Sequence, residues 1–251
     1  MKTAVITAAG ISSRFNEGIP ESEKQLKGIY GGGERTLLYH LVLKCLFADK
    51  IIVVGGYKFD DLKEYLLGLK PEIRDKIALV YNEHYKTLSS GYSLYLGLAE
   101  AFKCQSDEIL FIEGDLDVDR DSLDNVIKSN KSVLTYNYEP IYANKAVVLY
   151  KDSNERFRYA FNSSHGMLEI KEPFSCILNS GQIWKFTDIE KLKAANDKFF
   201  SEEKNGTNLR IIQDYLDHGT EADLIGLKRW TNCNTREDYD KIVSYWEEEL
   251  K

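Results

Sequence analysis

Small residues and cations cluster near the start of the chain in a pattern that could bind an anion. Residues 2–7 form a short apolar run that is typical of a buried strand. The small residues of interest just after it are Ala8, Ala9, Gly10, Ser12 and Ser13. Arg14 and Lys24 then add positive charge. Small residues let backbone N–H groups approach an anion closely, and cations add charge-assisted hydrogen bonds. This stretch therefore predicts a polyphosphate site.

Two other glycine-loop chemistries do not fit the sequence. A dinucleotide-binding loop needs G-x-G-x-x-G and an acidic residue at the end of the second strand. Gly10 is a lone glycine, and the next strand-like run, residues 51–54, ends in glycine. Residues 28–36 approach a P-loop, but Glu34 and Arg35 stand where Lys and Ser or Thr must follow. Neither motif is met.

Polar residues also follow the third apolar run, residues 76–81, at the start of a predicted helix. Asn82 comes directly after the run, and the helix start contains Ser89, Ser90, Gly91 and Ser93. Hydroxyls and free N–H groups at a helix start could cap the helix or bind the hydrogen-bonding edge of a base. Both interpretations are open from these residues alone.

A carboxylate follows the fourth apolar run, residues 108–112. Asp115 comes after a glycine that lets the backbone turn. In open α/β sheets, ligands bind in the crevice at the carboxyl ends of the strands, and carboxylate oxygens suit Mg²⁺. Asp115 is therefore a candidate magnesium ligand. Asp117 and Asp119 are interpreted as start residues of a helix over residues 121–129.

Apolar β runs alternate with helical patterns along the chain. This alternation predicts an α/β fold, with a mostly parallel sheet covered on both faces. Before residue 130 it predicts a right-handed βαβαβ arrangement. Shorter β runs then predict strands that extend the sheet and fold over the crevice, at residues 133–137, 146–150, 156–161 and 167–171. Later elements are helices over residues 188–200, 208–217 and 239–250, with a strand over residues 222–227.

Composition narrows the class of protein. The chain has 251 residues, of which 43% are apolar, and a formal charge of −7. An acidic chain does not provide the basic face that nucleic acid needs. No run approaches the roughly 18 apolar residues that a membrane span requires, and four distant cysteines favour reduced thiols. These features predict a cytoplasmic enzyme that binds neither nucleic acid nor a membrane.

The motifs together resemble those of the nucleotidyltransferases that transfer NMP from an NTP to a phosphorylated small molecule. Residues 8–14 match the opening motif Ala-Ala-Gly-x-Gly/Ser-x-Arg, and Lys24 matches its Pro-Lys, with Glu23 in place of the proline. Asp115 matches the metal-binding aspartate of the family. Asn234 falls on the second metal position of the closing motif Trp-x-x-Ile-Asp/Asn-Thr-x-x-Asp. Within this superfamily the chain looks most like the phosphocholine cytidylyltransferase type.

The resemblance implies a Rossmann-like three-layer α/β/α fold with a mixed, mostly parallel sheet. It implies one domain, residues 1–251, with a nucleotide-binding half, residues 1–130, and an acceptor-binding half, residues 131–251. Arg14 and Lys24 would hold the β,γ-phosphates, and Mg²⁺ would lie at Asp115 and Asn234. The residues that would surround the nucleotide are Ala8, Ala9, Gly10, Ser12, Ser13, Asn82, Ser89, Ser90, Gly91 and Ser93.

Lys171 lies in a segment that loosely resembles the Glu-Lys-Pro of the family, which implies contact with the acceptor phosphate. A solvated strand lysine is an equal alternative. The implied reaction transfers CMP from CTP to a phosphorylated or phosphonate amine or amide and releases pyrophosphate. Phosphocholine, aminoethylphosphonate and phosphoglutamine, a bacterial capsule precursor, are candidate acceptors. A sugar 1-phosphate acceptor, a non-catalytic nucleotide-binding module and a homodimer stay open.

Overall fold

A mixed, mostly parallel sheet covered by helices on both faces forms the core of the molecule. The computed structural model describes residues 1–142, 147–160 and 168–249. The strands are β1 Lys2–Ala8, β2 Lys50–Gly55, β3 Ile77–Tyr81, β4 Glu108–Glu113, β5 Leu116–Val118, β6 Ser132–Asn137, β7 Val148–Asp152, β8 Phe157–Tyr159, β9 Phe174–Phe186, β10 Ala222–Leu227 and β11 Trp230–Asn232. The architecture confirms the predicted fold class.

The apolar strand β1 lies in the interior of the sheet, next to the central strand β4. The sheet has the order β10-β6-β9-β4-β1-β2-β3, and β7 and β8 extend it beside β9. β1 pairs in parallel with both β2 and β4, whereas β9 runs antiparallel to β4 and β6. The carboxyl ends of β1, β2, β3 and β4 consequently meet at one edge, where the sequence predicts the ligand crevice.

Helices cover both faces of this sheet. They are α1 Leu37–Lys44, α2 Phe59–Leu67, α3 Pro71–Arg74, α4 Ser90–Lys103, α5 Arg120–Lys128, α6 Ile189–Glu202, α7 Asn208–Asp217 and α8 Arg236–Glu249. Short polar side chains cap four of them: Thr36 accepts from the Tyr39 N–H at 3.0 Å, Asp119 and Asp188 cap α5 and α6 in the same way, and Thr235 caps α8 by accepting from the Asp238 N–H at 3.2 Å. The interpretation of Asp119 as a helix-start residue is confirmed. No helix in the described ranges is both long enough and apolar enough to cross a membrane.

The second half of the sheet differs from its prediction in one respect. Residues 168–171 form no strand, although residues 167–171 were predicted to do so. A single strand of 13 residues, β9, carries the pairing instead. Its register against β6 shifts between Leu134 and Tyr136, which interrupts the period-two alternation that identifies a strand in sequence. Residues 146, 161 and 167, at the ends of three predicted runs, lie outside the described residues.

Asp117, which was predicted to start a helix, lies in a strand instead. It lies in β5, is 1% exposed, and accepts a hydrogen bond from Lys44 Nζ at 2.9 Å. Trp246 Nε1 donates to the same carboxylate at 3.0 Å, and Arg229 forms an ion pair with it. Burial alone would raise the pKa of Asp117, but the charges of Lys44 and Arg229 lower it. This carboxylate links α1, β5 and α8 and does not start a helix.

We expect His40→Phe to make the fold less sensitive to acid. The His40 ring stacks on Trp246 with centroids 3.7 Å apart, and burial lowers its pKa to about 4, with the charge of Lys44 adding to the effect. Because the unfolded chain binds the proton first, this contribution is complete above about pH 6.5 and is lost as the pH falls toward 4. Urea unfolding between pH 7.5 and 4.5 measures how steeply the free energy of unfolding falls with decreasing pH. An unchanged slope in His40→Phe would contradict the expectation, and His84→Gln, at a histidine whose side chain is 45% exposed, serves as control.

Candidate active site

A crevice of about 230 Å³ opens at the carboxyl ends of β1 and β4. The two strands are in register, with Thr7 opposite Glu113, so the loops that follow them face each other. The lining residues are Thr7, Ala8, Ala9, Gly10, Ser12, Leu26, Lys27, Gly28, Asn82, Tyr85, Leu88, Ser89, Ser90, Ser93, Glu113, Gly114 and Asp115. The crevice thus brings together three segments that the sequence singled out separately.

Most of the predicted nucleotide-binding residues lie in this wall. They are Ala8, Ala9, Gly10, Ser12, Asn82, Ser89, Ser90 and Ser93, and the predicted metal ligand Asp115 lies with them. Ser13 is exposed and lies outside the wall. Gly91 also lies outside it. A Cβ at Gly91 would come within 2.5 Å of the Gly206 carbonyl oxygen and of the Phe199 ring, so this glycine allows α4 to pack closely there.

Asn16 fixes the shape of the loop after β1, residues 9–16, which we call the phosphate loop after its predicted role. The sequence did not indicate this contribution of Asn16. It is 3% exposed, and its side-chain amide donates to the carbonyl oxygens of Ser12 at 3.1 Å and Gln25 at 2.8 Å. Its side-chain oxygen accepts from the Gln25 N–H at 3.0 Å. Ser12 has a left-handed φ of 55°, and its hydroxyl accepts from the Lys27 N–H at 3.3 Å. The loop and the segment around Lys27 therefore form one unit.

The serines at the start of α4 have distinct surroundings. Ser89 is the N-cap residue, but its side chain makes no capping hydrogen bond, so capping does not account for this serine. Ser90 Oγ contacts Asn208 at the start of α7, accepting from its N–H at 3.3 Å. Ser93 Oγ accepts from Asn82 Nδ2 at 2.9 Å. The hydroxyl of Ser89 is thus available to a ligand in the crevice.

Asp115 lies between Lys27 and Cys233, the residue that follows β11. A Cβ at Gly114 would be 2.5 Å from the Thr7 carbonyl oxygen, so only glycine lets the turn before Asp115 approach β1 this closely. Asp115 Oδ2 lies 2.9 Å from Lys27 Nζ, and its carbonyl oxygen accepts from the Cys233 N–H at 2.7 Å. Its Oδ1 is buried and has no hydrogen-bond partner within the described part of the chain.

A second carboxyl group, Glu113, lies two residues before Asp115. Burial raises the pKa of Glu113 to about 8, and the charge of Asp115 adds to the rise. Glu113 Oε1 accepts from Asn208 Nδ2 at 2.6 Å. Asn208 begins α7 and also contacts Ser90. Glu113 and Asn208 therefore connect the crevice to the second half of the chain.

These residues fit a magnesium ion that the substrate helps to hold. No group of three His, Cys, Asp or Glu suited to a metal occurs within residues 1–142, 147–160 and 168–249. Mg²⁺ is usually held by one or two carboxylates together with substrate phosphates and water, and the unpartnered Asp115 Oδ1 suits such a ligand. Asn234 lies near Asp115 in space, because the N–H of the preceding residue, Cys233, donates to the Asp115 carbonyl oxygen. The Asn234 N–H donates to Asp238 Oδ2 at 2.8 Å, and the Asn234 side chain makes no hydrogen bond with the part of the chain that the structure describes.

Three predicted cations are outside the crevice. Arg14 is exposed, and no ion pair within the described ranges includes it. Lys24 Nζ lies 2.6 Å from Glu21 Oε2, and Lys171, 71% exposed, lies 3.6 Å from Glu169 Oε2. The structure brings none of them against Asp115, and their roles stay predictions. The cation beside Asp115 is Lys27, which sequence reasoning missed because no motif marks it.

The fold is shared with nucleotidyltransferases of known structure. The solved structure of the Thermotoga maritima inositol-1-phosphate CTP transferase matches with a TM-score of 0.67 and 16% identity, over 97% of this chain and 94% of that chain. The CTP:phosphocholine cytidylyltransferase of Streptococcus pneumoniae matches with 0.62 and 19%, over 100% and 99%. A UDP-glucose pyrophosphorylase matches with 0.69 and 12%, over 99% of both chains. These likenesses show the fold.

The chain belongs to the family described as "Domain of unknown function (DUF6564)", whose model matches residues 23–246. It is also similar to the choline-phosphate cytidylyltransferase of Haemophilus influenzae, with 36% identity over 95 residues. That alignment covers 37% of this chain and 37% of the relative, so the chain matches little more than a third of that protein's length.

Proposed function

We propose that the protein is a cytidylyltransferase that transfers CMP from CTP to a small phosphorylated or phosphonate amine or amide. The observation that carries the proposal is the crevice itself, where the small-residue loop after β1 faces Asp115. The polar start of α4 lies in the same wall, where it can bind the edge of a base. The likeness to two CTP-dependent enzymes supports the choice of CTP.

The proposed reaction is an in-line attack by an acceptor oxygen on the α-phosphorus of CTP, with pyrophosphate leaving. Two anions must meet, so the protein's task is to neutralise and align charge. In this proposal the backbone of residues 8–12 and the ammonium group of Lys27 bind the triphosphate, and Arg14 and Lys24, which lie outside the crevice in the free protein, turn to its β,γ-phosphates. Asp115 and Asn234 would hold Mg²⁺, which would supply positive charge to the phosphates.

Polar side chains favour an amine or amide acceptor over phosphocholine itself. A quaternary ammonium group calls for an aromatic cage. Of five aromatic candidates for such a cage, Tyr159, Trp184 and Tyr215 are at most 2% exposed and pack in the core, whereas Tyr138 is 69% exposed. Phe161 lies outside the described residues, so Tyr138 is the one accessible candidate among the four that are described. Glu113, which lines the crevice where the two halves meet, offers a carboxyl group instead.

A sugar 1-phosphate acceptor is the second candidate. The likeness to the inositol-1-phosphate CTP transferase and to the UDP-glucose pyrophosphorylase favours it. Both candidates predict the same chemistry at Asp115 and differ only in the acceptor. A substrate screen therefore separates them without any change to the protein.

Pyrophosphate release tests the proposal. CTP, UTP, dTTP, ATP and GTP are each combined, with Mg²⁺, with phosphocholine, aminoethylphosphonate, phosphoethanolamine, phosphoglutamine, glycerol phosphate and sugar 1-phosphates. We expect release with CTP and one phospho-amine or phospho-amide. Release only with a sugar 1-phosphate would establish the second candidate. If no combination releases pyrophosphate although the protein is folded and binds nucleotide, the protein is a non-catalytic module.

We expect Lys24→Ala to reduce turnover at least about a hundredfold. Loss of one cation at the departing pyrophosphate should cost about 3 kcal/mol of barrier, as removal of an oxyanion donor does. Stability should change little, because Lys24 forms an exposed pair with Glu21 and such pairs contribute little. Glu21→Ala is the matched control, since it breaks the same pair and keeps the cation. Normal turnover in Lys24→Ala, or an equal loss in Glu21→Ala, would contradict the role of Lys24.

A further inference from the structure

Lys27 is fixed inside the crevice by the segment that carries it. It begins a short 3-10 helix, Lys27–Ile29, between Leu26, which is 3% exposed, and the buried Gly28. Its N–H donates to Ser12 Oγ of the phosphate loop at 3.3 Å. Its side chain is 17% exposed and ends 2.9 Å from Asp115 Oδ2. The ammonium group thus lies between the phosphate loop and the carboxylate.

The two oxygens of Asp115 have different surroundings. Oδ2 is paired with Lys27, whereas Oδ1 is buried and lacks a partner among the residues that the structure describes. A buried carboxylate oxygen without a hydrogen bond is costly. Because Lys27 Nζ is the nearest cation, it neutralises a carboxylate that would otherwise attract a divalent metal.

The charge at this position is unusual for a metal site. Asn234, at the second predicted ligand position, is neutral. The pair formed by Asp115 and Lys27 therefore carries no net charge. A divalent cation that enters beside Asp115 meets the ammonium group at close range, and like charges repel strongly in a partly buried site. A triphosphate reverses this balance, because it offers Lys27 an alternative anion.

We propose that Lys27 makes metal binding depend on the nucleotide: it neutralises Asp115 in the free protein and turns to the triphosphate when Mg²⁺ and CTP bind together. The inference rests on the proposed function. It assigns Lys27 a role distinct from that of Lys24, which is paired with Glu21 outside the crevice. Metal and nucleotide should then each tighten the binding of the other by the same factor.

Binding of Mn²⁺ tests this role without turnover. Electron paramagnetic resonance measures the concentration of free Mn²⁺. The titration is carried out first with the protein alone and then with the protein saturated with a non-hydrolysable CTP analogue. We expect the wild-type protein to bind Mn²⁺ weakly alone and at least tenfold more tightly with the analogue. In Lys27→Met, Mn²⁺ alone should bind about tenfold more tightly than to wild type, the analogue should bind at least tenfold more weakly, and the coupling should largely disappear.

Three further variants make the result specific. Lys27→Arg keeps the charge and should restore most of the coupling. Lys103→Met changes the net charge equally at a side chain that is 72% exposed and should behave as wild type. Asp115→Asn should remove Mn²⁺ binding at the site with or without the analogue. Thermal unfolding confirms that each protein is folded, and Lys27→Gln replaces Lys27→Met if the latter does not fold.

The outcomes separate the two proposals. If the wild-type protein binds Mn²⁺ and the analogue cooperatively and Lys27→Met does the same, the role of Lys27 is wrong and the proposed function stands. If Lys27→Met binds Mn²⁺ alone no more tightly than wild type, Lys27 does not oppose the metal and the role is again overturned. If the wild-type protein binds no CTP analogue with Mn²⁺ present, the proposed function fails and the role of Lys27 fails with it.

Discussion

Asp115→Asn should reduce kcat/KM for the proposed transfer about a thousandfold, or about 4 kcal/mol of transition-state stabilisation. The substitution keeps the shape of the side chain and removes the charge that faces the phosphates and the metal. Positive and negative groups placed at developing charge contribute most of the catalysis in such reactions. Pyrophosphate release under saturating Mg²⁺ measures the loss.

The same substitution at Asp119 is the matched control. Asp119 caps α5 through the Ser122 N–H at 2.8 Å and also accepts from the Arg229 N–H at 2.9 Å, and it does not line the crevice. Asp119→Asn should therefore lower stability by about 1 kcal/mol or less and leave turnover of the folded protein unchanged. Turnover within threefold of wild type in Asp115→Asn would overturn the assignment of Asp115.

Asp117→Ala should destabilise the fold by about 3–5 kcal/mol, the usual cost of removing one partner from a buried ion pair. Lys44, whose side chain is 8% exposed, would lose its counter-charge, and Trp246 Nε1 would lose its acceptor. The free energy of unfolding in urea measures the effect, and enzyme that remains folded should keep its turnover.

A double substitution shows whether the effect comes from the unpaired charge. Asp117→Leu with Lys44→Met replaces both members by apolar side chains, which is often close to neutral at buried pairs. We expect it to recover much of the stability that Asp117→Ala loses, although Arg229 also contacts Asp117. A loss below 1 kcal/mol in Asp117→Ala would show that the pair contributes little.

Much of the fold follows from local pattern. The helix Asn208–Asp217 and the strand Ala222–Leu227 have the bounds that the sequence predicts, because apolar periodicity marks each of them from end to end. The parallel arrangement around β1 follows from the alternation of strands and helices. The placement of Asp115 at a strand end also follows, since it depends on one strand and one glycine.

The remaining features depend on contacts between distant residues. Asp117 and Asp119 are two positions apart and look alike in sequence, yet β11 pairs with β5 and buries only Asp117. Lys27 reaches Asp115 across 88 positions, and no spacing rule marks such a pair. Asn16 is a buried polar clamp whose partners are backbone atoms. Sequence pattern carries no signal for these contacts.

Transfer of labelled CMP is the most direct test of the central claim. The protein is incubated with Mg²⁺, with CTP labelled at the α-phosphorus and with the acceptor that the substrate screen identifies. The products are then separated and identified by mass spectrometry. We expect the wild-type protein to transfer the label to a CDP-linked product and to release an equal amount of pyrophosphate. Asp115→Asn should form neither. Label that stays in CTP, or that appears only as free CMP, would contradict a cytidylyltransferase.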